Sequence, residues 1–477
     1  MALCLVASAQ AQVALNLTLD ETITLAKTES PAARIARADF DQARWRFRSF
    51  RAEYLPRFSL EGNAPGLFRA VSDVLQDDGT IRYREQSRTQ SSMDLRVYQQ
   101  IPQTGGRLFL SSGLGYVRQF GEFGFGEWQS EPMIIGLQQP LFQFNNMRWQ
   151  RRVAPMQYEI ADKGYVEAME NVAVDVTGLF FDVYLAEMNI DIADFNLAVN
   201  DTIYTLAQGR YEIGRIAEDE LLQTELALLN AQTALQAANT AYDRATQELK
   251  TALGLSQSTP LDVIPPNTVP DVQVDPEKAV EEALENRSAF LALDLQELQA
   301  EREVALQRRE NSFSANMNAS FGLNQRAASI DNAYIDPRSQ QVFSIGFDVP
   351  LYQWGRNKAD LQAALAAQLE TAETTALQRQ ALEQNIYFEA LSFSRQAAQV
   401  AIAAKADTVA TRRFDVARNR YGIGSIDITE LFNAQQAKDS ARRAYIQELR
   451  SFWVSYFQLR RLTLYDFATG ERLFVEE

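Results

Sequence analysis

Short motifs recur along this chain at one fixed spacing. Pro140-Leu141-Phe142 returns as Pro350-Leu351-Tyr352, and Arg210-Tyr211-Glu212-Ile213-Gly214 returns as Arg420-Tyr421-Gly422-Ile423-Gly424. Both pairs lie 210 positions apart (350 less 140, 420 less 210). Ile216, Glu220 and Leu221 meet Ile426, Glu430 and Leu431 at the same offset. A spacing held without gaps over about eighty residues means that one structural unit occurs twice. The earlier parts correspond more loosely: Thr18-Leu19-Asp20-Glu21 with Val274-Asp275-Pro276-Glu277, Ala26 with Ala283, and Phe58-Ser59 with Phe313-Ser314. The first repeat is taken as 16–255 and the second as 276–465, with a tail over 466–477. Between them, Pro260, Pro265, Pro266 and Pro270 make 256–275 an extended connector, since proline at that density cannot continue a helix.

Each repeat reads as helix, strands, long helix, turn, helix. The strand evidence is a period of two. From Phe313 through Ala315, Met317, Ala319, Phe321 and Leu323 every second residue is apolar, and Phe343, Ile345, Phe347 and Val349 alternate with Ser344, Gly346 and Asp348. In the first repeat Phe58 and Leu60, then Met93, Leu95 and Val97, then Leu108, Leu110, Leu114 and Tyr116, then Ile135, Leu137 and Leu141 carry the pattern. Strands are expected over about 56–142 and 312–352. One apolar and one polar face suit a strand between lipid and water, and equally a soluble sandwich whose polar face is outward. Phe120, Phe123, Phe125 and Trp128 suit an aromatic girdle or ordinary loop packing. Met93–Ile101 and Leu108–Val117 form a strand pair that the second repeat lacks, joined by a turn at Pro102-Gln103-Thr104-Gly105-Gly106.

Long helices are expected over about 16–55, 144–253, 276–311 and 355–462. The stretch 145–208 holds one proline, Pro155, and two glycines, and would run for about 95 Å as one helix at about 1.5 Å per residue. Its counterpart at 357–420 holds neither residue type. Beyond the first turn Ala227, Ala231, Ala234, Ala238, Ala241 and Ala245 follow a 4-3 spacing, beside Leu221, Leu228, Leu235, Tyr242 and Leu249. Ala437, Ala441 and Ala444 repeat the small row, and Tyr445, Phe452 and Leu459 the large one. A 3.5-residue period implies supercoiling, with alanine allowing close approach. The seams serve packing on two sides or one antiparallel bundle closing on itself.

Composition narrows the function. The chain carries 46 Lys and Arg against 62 Asp and Glu, a net charge of −16, the wrong sign for a general nucleic-acid binder. There is no histidine and one cysteine, which removes histidine acid–base chemistry, histidine metal sites and an intrachain disulfide. No catalytic motif, metal site or cofactor site emerges. No apolar run is long enough for a membrane helix, so a membrane role falls to strands. Leu3-Cys4-Leu5-Val6-Ala7 followed by Ala9-Gln10-Ala11 reads as the end of a secretory signal, residues 1–11, although no basic residue precedes Lys27. Cys4 follows bulky Leu3, where a lipidation site needs a small residue.

The duplicated unit, the strand-ending Pro-Leu-aromatic motifs and the helix-turn motifs Arg210-Tyr211-x-x-Gly214 and Arg420-Tyr421-x-x-Gly424, each followed by Glu-Leu (Glu220-Leu221, Glu430-Leu431), together resemble the TolC family of outer-membrane efflux proteins over about 16–465. The resemblance implies an α+β membrane protein: long antiparallel coiled-coil helices forming a periplasmic α-barrel, and a transmembrane β-barrel shared by a homotrimer. It implies a channel, not an enzyme, embedded in outer-membrane lipid. Substrates would arrive from an inner-membrane transporter through a periplasmic adaptor protein, in drug efflux or type I secretion. No nucleic acid and no cofactor is implied.

The same resemblance makes the turns adaptor-docking tips (Arg210, Tyr211, Gly214, Ile216, Arg420, Tyr421, Gly424, Ile426), which as bare sequence are equally helix–helix turns without a partner. It makes Arg215, Glu220, Glu430 and Asn433 a gate or cation-selective entrance, whereas both glutamates also suit helix N-termini on dipole grounds alone. Ile426 stands where a gating arginine is expected, and Asn433 where a second acidic ring is. Pro140, Leu141, Phe142, Pro350, Leu351 and Tyr352 become barrel-to-helix junctions. The extra pair at 93–117 would give 18 barrel strands per trimer instead of 12 if it joins the barrel. A non-conducting coiled-coil scaffold of the envelope explains the heptads but not the alternating strands.

Overall fold

The computed structural model describes residues 15–75, 79–121, 124–266, 269–310 and 312–474. The signal reading at 1–11, Cys4 and Phe123 lie outside them. In chain order the elements are β1 (Leu15–Thr18), α1 (Leu19–Glu29), α2 (Pro31–Ala52), β2 (Arg57–Leu75), β3 (Ile81–Ile101), β4 (Gly106–Phe120), β5 (Phe125–Leu141), α3 (Asn146–Glu212), α4 (Glu218–Leu253), β6 (Leu261–Ile264), α5 (Pro276–Asn286), α6 (Ser288–Glu310), β7 (Ser314–Ala327), β8 (Arg338–Asp348), α7 (Arg356–Gly422) and α8 (Ile428–Thr463). Two residue pairs near the end, β9 (Tyr465–Asp466) and β10 (Glu471–Arg472), close a short hairpin. Helices α3 and α7 have 67 residues each, and α4 and α8 have 36 each.

The chain divides into two compact units. The sheet unit comprises Ala43–Glu159 and Leu291–Leu377; the helical unit comprises the chain up to Gln42, Ile160–Phe290 and Gln378 onward.

In the sheet unit six strands lie in the order β2-β3-β4-β5-β7-β8, every neighbour antiparallel. The pair at 93–117 is thus the middle of the sheet, β3 and β4, not a separate hairpin. Its turn sits where the glycines predict: the Gly105 amide donates to the Ile101 carbonyl at 2.8 Å with φ +74°. Asn145 fixes that turn to the start of α3. Its amide nitrogen donates to the Pro102 carbonyl at 2.9 Å, and its oxygen accepts from the Arg148 amide at 3.2 Å. Strands β2 and β3 run much further than the alternation suggested, 19 and 21 residues. The far half of β3, from Arg82 to Ser92, is almost entirely polar in sequence, so no period of two marks it, whereas that of β2 keeps Leu67, Phe68 and Val71 without regular alternation.

In the helical unit the core gathers Ile23 and Ala26 of α1, Val176, Phe180 and Phe181 of α3, Leu249 of α4, Ala279 of α5, Ile386 of α7 and Phe452 of α8. Segments β1 and β6 pair in parallel, with Leu17 and Val263 turned into that core. The connector is therefore partly a strand. The helix expected over 16–55 is two helices. Ser30 ends α1, its side chain accepts from the Ala33 amide at 3.0 Å, and Pro31 opens α2. The helix expected over 276–311 is also broken, at Arg287, and the Ser288 amide that opens α6 donates to the Glu167 carboxylate at 2.7 Å. Buried Glu170 takes Lys27 on one side and Arg460 on the other, at 3.2 Å, and Arg460 reaches on to Asp466 at 3.2 Å.

Candidate functional site

The register of the sheet collects the alternating residues on one face. Phe58 faces Val97, which faces Leu110; Leu110 faces Ile135, and Ile135 faces Phe321. Leu60, Leu95, Leu108, Leu137, Met317 and Phe343 extend the same face. These side chains stand in the open: Phe58 is 71 % exposed, Leu60 65 %, Met93 58 % and Phe347 72 %. The other face is polar and pairs with itself. Arg96 donates to Glu61 at 2.7 Å across β2 and β3, and Arg107 to Gln138 at 3.0 Å across β4 and β5. A band this apolar and this exposed needs a non-aqueous neighbour. Of the aromatics proposed as a girdle, Trp128 lies 4.9 Å from the tilted ring of Tyr116 on the adjacent strand, and Phe120 and Phe125 are exposed at the same end of β4 and β5.

The junction motifs fare differently. Strand β5 keeps Pro140 and Leu141 in register with Asn316 and Ala315 of β7, and Phe142 leaves it at φ +64° against the Phe313 ring. Strand β8 ends at Asp348, before Pro350. Leu351, Tyr352 and Trp354 are then 90, 71 and 86 % exposed. The reason is position. β5 is an inner strand that holds its last residues by pairing, whereas β8 is an edge with no second neighbour among the described residues.

The two helix turns share one backbone solution. At the first, the Gly214 amide donates to the Tyr211 carbonyl and the Arg215 amide to the Arg210 carbonyl, both at 2.8 Å, with Gly214 at φ +69°. At the second, Gly424 donates to Tyr421 at 2.9 Å and Ser425 to Arg420 at 2.8 Å, with Gly424 at φ +74°. This is the left-handed closure for which glycine alone carries no steric penalty. After the turn Asp427 caps α8, accepting from the Glu430 amide at 2.7 Å, while Ala217, at the matching place before α4, offers no side-chain cap.

Side chains separate the tips. Tyr421 is 3 % exposed in a cluster with Ile203, Phe414, Ile428 and Leu431, with Ile426 packed against it. Arg210 crosses from the first tip to the second. Its guanidinium donates to the Tyr421 and Gly422 carbonyls at 3.3 and 3.2 Å and lies 5.2 Å from the Tyr421 ring. Burial, with the Glu220 carboxylate adding to it, raises the Tyr421 phenol above its usual range. Tyr211, by contrast, is 41 % exposed, and Ile216 is half-buried. Among the proposed gate residues, Glu430 lies 3.9 Å from Arg420 and Asn433 is exposed. Arg215 and Glu220 form no ion pair with each other among the described residues. The contact made by Arg210 is one the sequence reading missed, because nothing in a tip's own residues says which other tip its arginine will cap.

An exposed apolar band on an antiparallel sheet, borne by a chain of 67-residue helices closed at glycine tips, defines a class: a strand-inserted membrane protein with long helical hairpins. The model of the outer membrane efflux protein family matches residues 85–255 and 279–463, and the chain belongs to that family. Its place is the cell outer membrane and its class of activity is transport. Solved structures share the fold. The Campylobacter jejuni CmeC outer membrane channel is 14 % identical, with a TM-score of 0.67 over 96 % of this chain and 87 % of that one. The Vibrio cholerae outer membrane protein VceC is 14 % identical, with a TM-score of 0.66 over 93 and 95 %. The open state of the Neisseria gonorrhoeae MtrE outer membrane channel is 15 % identical, with a TM-score of 0.62 over 93 and 88 %. No curated protein matches the sequence.

Proposed function

We propose that three copies of this chain join their sheets edge to edge into one barrel of eighteen strands, six from each, and that the barrel and the long helices together serve as a passive exit duct. The observation that carries the reading is the sheet: a continuous apolar face with two edges, β2 and β8, that no other strand among the described residues pairs. Open edges of this length are a liability unless another chain covers them. Six strands are too few to enclose a water-filled bore, whereas about sixteen to eighteen leave one. At 11 residues β8 has the length a tilted spanning strand needs, about 9–11. The polar half of β3, from Arg82 to Ser92, reaches past the apolar band, outside the membrane.

On this reading the two repeats line one periplasmic tunnel. Ala234 and Ala241, exposed on α4, face helices of a neighbour where Ala231 and Ala238 face the chain itself. The tips take an adaptor, for which the exposed Ile213 and Ile423 are natural contacts. Substrates come from an inner-membrane transporter through that adaptor. Glu430, repeated three times about the axis, forms a carboxylate ring that favours cations.

The test is to extract the protein in detergent, measure the mass of the particle and add it to a planar bilayer. A trimer with discrete, cation-favouring conductance is expected. A monomeric, water-soluble and non-conducting particle overturns the duct and favours the coiled-coil scaffold.

A further inference from the structure

The second tip is complete within one chain and the first is not. Arg210 gives the end of α7 what a helix C-terminus lacks, a cation donating to its last carbonyls, those of Tyr421 and Gly422, and sits 5.2 Å from the Tyr421 ring centre. The end of α3 has the same backbone closure, the same glycine and a tyrosine in the same place. Yet Tyr211 is 41 % exposed, and among the described residues no guanidinium reaches the Tyr211 and Glu212 carbonyls. The residue equivalent to Arg210 is Arg420. Among the described residues it caps no helix end. Its side chain is about half exposed, with a single 3.9 Å ion pair to Glu430, itself 54 % exposed, a contact of small worth. One tip therefore presents a donor without a receiver, and the other a receiver without a donor.

The geometry points to a closed ring of arginine caps, in which Arg420 of one chain caps the first tip of a second copy by the contact Arg210 makes inside the chain. This rests on the trimeric reading and goes beyond it by naming the residue each copy lends its neighbour. Two features favour a second copy as the occupant. The unfilled site has the same two turn hydrogen bonds and the same left-handed glycine as one that the chain's own arginine already fills. And a head-to-tail contact repeated in one sense closes into a ring when the rotation suits, so tips alternate: first to second within a chain, second to first between chains. Three chains make six caps, three internal and three shared. Subunit contact and tip closure then become one event, because a first tip finishes folding only when a neighbour is present.

The test uses paired cysteines in a Cys4→Ser background, which removes the chain's one cysteine. Arg420→Cys with Glu212→Cys reports the shared cap, and Arg210→Cys with Gly422→Cys the internal one. Each purified particle is treated with a short bismaleimide and run on a denaturing gel, and its mass in detergent is measured beforehand. The first pair is expected to give covalent dimers and trimers. The second is expected to give only monomers carrying an internal link, and each single cysteine none. A trimeric particle whose first pair gives no covalent oligomer overturns the shared cap and leaves the trimer standing; a monomeric particle overturns both. As a second measurement, Arg420→Ala in the intact trimer is expected to speed amide exchange over 211–215 severalfold. Exchange there at the unmodified rate also overturns the cap.

Discussion

The two helix tips begin as near copies and end in different surroundings. Each carries Arg-Tyr, two further residues and Gly, and each closes with the same two backbone hydrogen bonds. Tyr421 is nonetheless buried and Tyr211 open, and the arginine of the first tip serves the second. The backbone of a turn is settled by a handful of neighbouring residues, and glycine at the left-handed position suffices. The fate of its side chains is settled by whatever packs beside it, and a duplicated sequence says nothing of that. Two equivalent tips in one chain have unequal neighbours, and only a ring can make them alike.

The sharpest way to break the comparison is to remove the same leucine from each tip. Leu431 is fully buried in the second, and Leu221, its counterpart, is half-buried in the first. Leu431→Ala is expected to cost about 3 kcal/mol, from lost transfer energy plus a cavity, and Leu221→Ala about 1 kcal/mol or less in the single chain. Denaturant melts of the two variants, followed by exchange at tip amides, give the ratio. Equal losses mean that the burial difference does not reflect a packing difference.

Next in size is the cap. Arg210→Ala removes two charge-assisted bonds to α7 carbonyls and is expected to loosen the second tip by about 1–2 kcal/mol. The reading is amide exchange over 419–424. Arg210→Lys is expected to recover only part of this, since an ammonium has no planar fork to span two carbonyls and lie along a ring. Full rescue by lysine reduces the contact to simple charge.

A smaller effect separates the tips by pH. The Tyr421 phenol has a raised pKa because it is buried, so its neutral form is the one the fold favours. Its contribution to stability is present below about pH 10, where an unfolded tyrosine is still protonated, and is lost as pH rises through the raised value. Tyr421→Phe is expected to flatten the alkaline fall in thermal stability above about pH 10. An unchanged alkaline slope in that variant rules out Tyr421 as its source.

What could be read in advance follows the same division between local and long-range causes. The turns at Gly214 and Gly424, the helix ends around them and the turn at Gly105 were legible because a few adjacent residues determine each. The break at Ser30-Pro31 carried its own signal, a capping serine before a proline, yet helical periodicity on both sides hid it. The break at Arg287 had no local signal at all, since the group that opens α6 is Glu167, over a hundred positions away. Alternation revealed the strands where exposed apolar and polar residues take turns, and failed over 82–92, where nearly every residue is polar. At the site, the tip glycines were visible, and the partner of Arg210 was not.

The smallest structural effect belongs to Glu430, and it separates stability from conduction. Its ion pair with Arg420 is 3.9 Å long, with both side chains about half exposed to solvent. Such a pair contributes about 0–1 kcal/mol, so Glu430→Gln is expected to leave tip exchange and melting nearly unmoved. On the proposed trimeric duct, a ring of three carboxylates at a narrow entrance behaves otherwise, because each charge acts on every ion that passes. The same variant is therefore expected to weaken block by divalent cations and lower cation preference in planar bilayers, while Glu220→Gln, on the half-buried counterpart, changes them less. If both variants conduct and are blocked alike, the two tips stand equally close to the ion path. The asymmetry seen in one chain is then a property of the lone subunit, erased when the ring closes.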